Sequence, residues 1–153
     1  MKVRTPPWPW PAAARAKTLC GGAGASARAD GASAVHTHMT NSRLTDPEIL
    51  ERRFPVRVER FAIRRGGGGL VRTLRFLKPV QAAPLSTRRE NSPRGIEGGG
   101  DALAGRQSLI DSAGSGPGGG HAKAIPGCFS LDMEAGQALE IEPPGDGGYG
   151  AED

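Results

Sequence analysis

Two histidines separated by a single residue, in the stretch VHTHMTNSR, are the first side chains in this sequence that could do chemistry. In an extended segment His36 and His38 point the same way, so both imidazoles could meet one metal ion. A tetrahedral site needs further ligands, but Asp30 and Asp46 follow no ligand spacing and His121 lies in a Gly-rich stretch. We therefore expect no metal site, and predict that the histidines hydrogen-bond to a substrate or to neighbouring backbone.

Two glycine runs, RRGGGG and GGGDALAGR, are candidates for a phosphate cradle built from backbone N–H groups. Arg64, Arg65 or Arg106 would stand beside such a phosphate. Neither run has the Gly-Lys-Ser/Thr sequence with which a P-loop opens its helix. Tight turns are therefore the preferred interpretation of both runs.

The chain has two cysteines and no CxxC spacing, so a disulfide framework is not indicated and a reduced, cytoplasmic setting is expected. Cys20 could be a nucleophile paired with one of the histidines, although no sequence signature supports the pairing. Cys128 has the surroundings of a small apolar residue. The basic start MKVR leads into prolines and a further charge, which argues against secretion, and no segment has the ~20 apolar residues of a membrane span.

Charge is unevenly distributed along the chain. Residues 51–94 carry twelve Lys/Arg against three Asp/Glu, a net +9, and residues 95–153 carry two against ten, a net −8. Such a split can indicate nucleic-acid binding. The arginines alternate with apolar residues at strand spacing and no aromatic platform accompanies them. We therefore favour an arrangement in which the two regions face each other or face neighbours in a larger assembly.

Composition indicates a small core. Of 153 residues 24 are Gly and 13 are Pro, and only 5% are aromatic. We predict a mainly β fold with one short helix and long Gly-rich loops (α+β), which forms an incomplete domain. Residues 1–17, with their PPWPWP motif, are expected to be a disordered Pro-rich leader.

The one helix is predicted from a capping box. Thr45 would cap it while Glu48 reaches back, and Pro47 suits the first turn. Ile49 and Leu50 would supply its apolar contacts.

Strands are predicted from period-two patterns. FPVRVERFAIRR indicates a strand with a bulge near Arg60, and LVRTLRFL a second strand that completes a hairpin. QALEIEPPG indicates a short half-buried strand that ends at Pro143. Residues 20–33 and 86–106 are predicted loops, and 111–121 is the least ordered interior segment.

Four phrases occur in an order that resembles the C-terminal part of the hydantoinase B/5-oxoprolinase (ATP-hydrolysing) family: LCGGAGA, DGASAVHTHMTNSRLTDPEILERRFPVRVERFAIRRG, RFLKPVQAAPLSTRRENSPRGIEGGGDALAGRQ and IPGCFSLDMEAGQALEIEPPGDGGYG. The resemblance covers residues 18–150 and leaves 151–153 as a tail. It implies ATP-dependent opening of a cyclic amide: 5-oxoproline to L-glutamate in glutathione metabolism, or a hydantoin-type ring. In this scheme an A-type part binds ATP and phosphorylates the amide oxygen, and a B-type part hydrolyses the activated ring.

The resemblance carries over few site residues. His36, His38, Asn41 and Arg43 match the family's polar motif, and we predict that they line the substrate or interface side of the B-type part, with no catalytic role assigned. The family's metal-binding residues are understood to lie upstream. The resemblance thus implies ATP and a divalent metal for the complete enzyme, and neither a cofactor nor a metal bound by this chain.

The sequence departs from the family pattern in four ways. It is several times shorter than a complete B-type part and has no A-type part. RRGGGG runs directly into LVRTLRFL, where relatives have a longer loop containing an aromatic residue. SARA replaces a Gly/Pro-containing stretch, and Asp146 stands where a glycine run is usual.

We therefore expect a fragment of a cytoplasmic cyclic-amide hydrolase that is inactive alone. Its partners would be a hydantoinase A/B-type subunit or the missing upstream part of the same enzyme, and a small cyclic amide, with no membrane. The alternative is a non-catalytic interaction module that binds such a subunit through its strands. Nucleic-acid binding by 51–94 is a weaker hypothesis, and a further one is that the chain does not fold without its partner segments.

Overall fold

The structure is a computed structural model that describes residues 19–36, 44–64, 68–111, 122–128 and 130–151. Within these residues it is mainly β with one short helix, as predicted. The elements, in chain order, are β1 Gly22–Ala23, β2 Ala32–Ser33, α1 Pro47–Arg53, β3 Val56–Ile63, β4 Leu70–Phe76, β5 Val80–Ala82, β6 Arg106–Ile110, β7 Ala122–Ala124, β8 Leu131–Met133 and β9 Ala138–Glu142.

A five-stranded sheet with the strand order β3-β4-β9-β6-β7 forms the centre of the fold, and all its neighbouring strands are antiparallel. Two-stranded ladders β1-β2 and β5-β8 stand beside it. The predicted QALEIE strand exists as β9. It lies between β4 and β6 at the middle of the sheet.

The predicted hairpin is confirmed, and so is its bulge. Val58 pairs with Leu74, and the register then shifts so that Arg60 pairs with Thr73 and Phe61 with Arg72. One extra residue in β3 therefore returns Phe61 to the sheet face that carries Val58, because side chains alternate along a strand. This explains why the apolar phase changes in the sequence.

One face of the sheet packs against α1 and the β5-β8 ladder to form the core. Its buried members are all apolar: Leu50, Val56, Leu74, Phe76, Met133 and Leu139. Burying a side chain of this size contributes about 1.5–3 kcal/mol. Phe76 is the one aromatic residue in this group, which agrees with the low aromatic content.

The helix begins as predicted at Pro47, but its cap differs. Asp46, rather than Thr45, is the N-cap, and its Oδ1 accepts from the Glu48 backbone N–H at 2.9 Å. The capping-box prediction was wrong because an aspartate next to the first helical residue reaches that N–H directly. The prediction for Ile49 was also wrong, since it is 46% exposed.

The loop predictions met a mixed outcome. Residues 83–105 contain no helix or ladder strand, which confirms the predicted loop 86–106 except at Arg106, where β6 begins. The 20–33 loop, in contrast, contains the two-residue strands β1 and β2, so that prediction needs correction. The predicted leader 1–17 and most of the predicted flexible stretch 111–121 lie outside the described residues, and the domain boundaries stay predictions.

Three loop segments that are far apart in sequence meet in what we call the glycine-packed layer: residues 24–26, 95–100 and 147–150. The Tyr149 N–H donates to the Ala25 carbonyl at 2.8 Å, and the Ile96 N–H donates to the Gly148 carbonyl at 2.9 Å. A Cβ on Gly99 would lie closer than 3.0 Å to the Gly148 backbone. A contact this close between backbones requires that residue 99 carries no side chain.

Candidate functional site

The segment containing the predicted site residues can be placed by its ends. Of the four, His36 is described and half-buried. His38, Asn41 and Arg43 lie outside the described residues. The structure therefore shows how the chain enters and leaves this histidine segment, which we define as residues 36–43.

The entry to the histidine segment is attached to the residues that precede β4. The Ala34 N–H donates to the Gly68 carbonyl at 3.0 Å. Ala34 has a φ of 59°, a left-handed conformation that residues with a Cβ rarely adopt. Such a conformation persists where the surroundings fix it, and here it turns the chain just before His36.

The exit from the histidine segment is held by a buried arginine. Arg72 is 2% exposed, and its Nη2 donates to the Thr45 carbonyl at 2.9 Å. Its guanidinium carbon lies 4.9 Å from the centre of the Phe61 ring, which is the distance of a cation–π contact. The residues that flank the segment are thus attached at β4: Ala34 bonds just before the strand, and Thr45 bonds to its third residue.

Burial dominates the electrostatics at this point. Desolvation lowers the pKa of Arg72 and raises the pKa of the nearby Cys20 thiol; a backbone hydrogen bond and the Arg72 charge partly offset the rise at Cys20. The Arg72 Nε is buried without a hydrogen-bond partner among the described residues. The site therefore presents a cation in a largely apolar setting beside a neutral thiol.

We expect the Cys20 thiol to be much less reactive than Cys128 in the folded chain. Cys20 is buried and burial raises the pKa of its thiol, so its thiolate is disfavoured. Cys128 is exposed, which corrects the expectation that it packs as a small apolar residue. The rate of alkylation at pH 7.5, measured by peptide mass spectrometry, should be at least about tenfold lower at Cys20 than at Cys128, because burial both shields the Cys20 thiol and disfavours its thiolate. Equal rates in the folded chain, and different ones in urea, would contradict this assignment.

The opposite face of the sheet is polar. Arg60 and Glu140 form an ion pair at 3.5 Å, Thr73 donates to Glu140 at 2.8 Å, and Arg64 and Glu142 pair at 3.6 Å. Partly exposed pairs of this kind contribute at most about 1 kcal/mol each. They do show that basic residues of 51–94 face acidic residues of 95–153, which is the arrangement that the sequence favoured.

Arg72 is the residue that sequence reasoning missed. The second predicted strand was assigned an apolar face containing Leu70, Leu74 and Phe76, and Arg72 belongs to that same face by period two. A single charged residue on an otherwise apolar face was the available signal. Such residues are buried in a fold only where a partner receives them, here the Thr45 carbonyl.

Two further observations concern cofactors and membranes. The described residues bring together no group of three or more His, Cys, Asp or Glu side chains that could hold a metal ion, so they do not fit a resident divalent cation. No helix in the described part of the chain has the length and apolar character to cross a membrane.

Comparison with known proteins gives consistent matches. The Hydantoinase B/oxoprolinase family matches residues 9–152. The protein 5-oxoprolinase 1 of Arabidopsis thaliana is 42% identical over 140 residues, which are 86% of this chain and 11% of the plant protein. The 5-oxoprolinase of Dictyostelium discoideum is 37% identical over 142 residues, 87% of this chain and 11% of that protein. No solved structure matches, and the chain spans about a tenth of the length of these curated relatives.

Proposed function

Because this chain belongs to the hydantoinase B/oxoprolinase family, we propose that it forms part of an ATP-dependent hydrolase that opens a cyclic amide, with 5-oxoproline as the substrate and L-glutamate as the product. The observation that carries the proposal is the likeness to proteins named 5-oxoprolinase along most of the chain. ATP supplies the activation that a stable amide needs, and both nucleotide and divalent metal are held by parts of the enzyme outside this chain.

The contribution of this chain is to position a wall of the substrate site or of an adjoining interface. His36 lies at the start of the histidine segment, and the flanking residues Ala34 and Thr45 are both attached at β4. Anchored flanks reduce the conformational freedom that the chain must give up when a ligand binds, which favours affinity. His38, Asn41 and Arg43 are proposed to act from the same segment.

A chimeric enzyme tests this proposal. Replacing the matching segment of the Arabidopsis relative with residues 9–152 of this chain should give ATP-dependent formation of glutamate from 5-oxoproline. The relative truncated before that segment should be inactive, because the wall of the site is missing. Glutamate release, followed with and without ATP, measures both.

The isolated chain provides the complementary measurement. It is expected to show no turnover alone, since the described residues contain no group of side chains that could hold a metal ion and the sequence has no P-loop. Clear hydrolysis by the chain without any added subunit contradicts the proposal, and so does an inactive chimera that is folded and assembled.

A second candidate is a non-catalytic interaction module, and the edge strand β3 favours it. Within the described residues β3 pairs on one side only, with β4, and carries the exposed side chains Phe61 and Ile63. An open edge can accept a strand from a partner. The truncated relative separates the two candidates: under this one, the added chain binds it at moderate salt and restores no hydrolysis.

A further inference from the structure

A cavity that shares no residue with the histidine segment lies between the loop that follows β5 and the chain that precedes β8. Its volume is about 560 Å³. Its lining combines two arginines with small and polar residues: Ser86, Arg88, Arg89, Glu90, Asn91, Pro126, Gly127 and Cys128. None of these residues belongs to the site described above.

Arg89 is built into this cavity rather than extended over the surface. A Cβ added to Gly105 would overlap its Nη1 atom, and one added to Gly127 would lie 3.0 Å from its Cγ. The side chain therefore occupies room that two glycines leave open. Such a fit places the guanidinium at a defined position in the wall.

The charge of Arg89 has no counter-charge within the described residues. No ion pair joins Arg88 or Arg89 to a carboxylate there, although Glu90 lines the same cavity. The Arg89 Nε is buried without a hydrogen-bond partner, and its Nη1 has only a long contact of 3.5 Å to the Thr87 carbonyl. Burial lowers the pKa of Arg89, with no charged neighbour to oppose it. A half-buried cation in this state gains most from an anion.

The backbone around the cavity is fixed, and part of it is strained. Arg88 has a φ of 58°, and its carbonyl accepts from the Gly105 N–H at 2.9 Å. Ser86 Oγ lies 2.6 Å from the Gly127 carbonyl and 3.2 Å from Oε1 of the buried Gln107. Strained residues held by a rigid surround are frequent at ligand sites.

We propose that this cavity binds the carboxylate of a small organic acid, with Arg89 as its charge partner and Arg88 beside it. The planar guanidinium matches the two oxygens of a carboxylate. The volume lies in the range of pockets that hold small molecules, so a small organic acid fits with room to spare, and it is small for a folded partner. The identity of the acid rests on the proposed function: 5-oxoproline and glutamate both carry such a carboxylate.

The exposed thiol of Cys128 in the cavity wall allows a direct test. Iodoacetate carries a carboxylate and iodoacetamide is its neutral counterpart; in both, the thiolate displaces iodide to form a C–S bond and the thiol proton passes to solvent. We expect the ratio of the iodoacetate rate to the iodoacetamide rate at Cys128 to be about tenfold higher in the folded chain than in urea. This is the effect of one charge-assisted hydrogen bond.

Matched variants and competitors complete the experiment. Arg89→Gln should bring the ratio to within about twofold of the urea value, whereas Arg57→Gln, which removes an exposed arginine from β3, should leave it unchanged. In the unaltered chain 5-oxoproline should slow the reaction with iodoacetate, and 2-pyrrolidinone, the same ring without a carboxylate, should not.

Three results would overturn the proposal. The rate ratio could be equal in the folded chain and in urea, it could fall equally in the Arg89→Gln and Arg57→Gln variants, or 5-oxoproline and 2-pyrrolidinone could slow the iodoacetate reaction equally. The competition needs no variant, so it stands if Arg89→Gln does not fold. This experiment does not measure turnover, so its result is independent of the chimera's. The carboxylate site can be disproved while the chimera is active, and the site can be supported while the chimera is inactive.

Discussion

Gly99→Ala is expected to lower the free energy of unfolding by about 3 kcal/mol, the upper range for forcing an extra methyl group into a well-packed site. The new Cβ would lie closer than 3.0 Å to backbone atoms of Gly148 and of the Tyr149 N–H group. Backbone cannot move aside as a flexible side chain can. The change should also break the hydrogen bond at 2.9 Å by which the Ile96 N–H joins the two segments. Urea denaturation followed by circular dichroism measures the loss.

The adjacent glycine is the matched control for this substitution. A Cβ on Gly100 would meet nothing within 4 Å and its φ lies outside the left-handed region, so Gly100→Ala should raise stability slightly, by less than about 1 kcal/mol. If the two alanine variants unfold at the same urea concentration, the glycine-packed layer does not hold these segments together.

The glycine-packed layer explains why a chain with so few aromatic residues contains so many glycines. Segments near residues 25, 97 and 148 approach one another through backbone atoms and hydrogen bonds instead of through large apolar side chains. Glycine loses more conformational entropy on folding than other residues, so this layer is costly to form. A short connection ties it to the sheet, because β9 ends at Glu142 and the chain reaches the layer at Gly147.

The parts of the fold that the sequence predicted are local. The β3-β4 hairpin and its bulge follow from a period-two pattern whose phase changes near Arg60, and both partners lie within about 20 residues of each other. The pairing of β9 with β4 and β6 joins residues that are far apart in sequence, and nothing in QALEIE specifies which strands will flank it. The three-residue strands β5 and β8 are too short to show a period at all.

The candidate site divides in the same way. The HTHMTNSR motif marks the histidine segment from sequence alone, as a local feature. The attachment of that segment could not be predicted, because the Arg72–Thr45 contact joins residues 27 positions apart. The carboxylate cavity also depends on chain segments near residues 88, 105 and 127 that only the fold brings together. The spacing of residues predicts which side chains share a face within one helix or strand, but not which helices, strands or loops will pack together.

Arg72→Ala is expected to lower the free energy of unfolding by about 3 kcal/mol and to detach Leu44 and Thr45, which follow the histidine segment, from β4. The substitution leaves a cavity next to Leu74, removes the cation–π contact with Phe61, and leaves the Thr45 carbonyl without its donor. Urea denaturation measures the stability, and hydrogen exchange of the Leu44 and Thr45 amides reports the release.

Two further variants decide which property of Arg72 matters. Arg72→Met keeps most of the side-chain volume and removes the charge and the hydrogen bond, so it should cost about 1–2 kcal/mol, less than alanine. Burial of the uncompensated charge opposes folding, and its removal offsets part of the loss. Arg57→Ala, on the exposed side of β3, should change stability by less than about 0.5 kcal/mol. If the methionine variant is as stable as the parent and its Thr45 amide exchanges no faster, Arg72 fills space in the core and does not anchor the histidine segment.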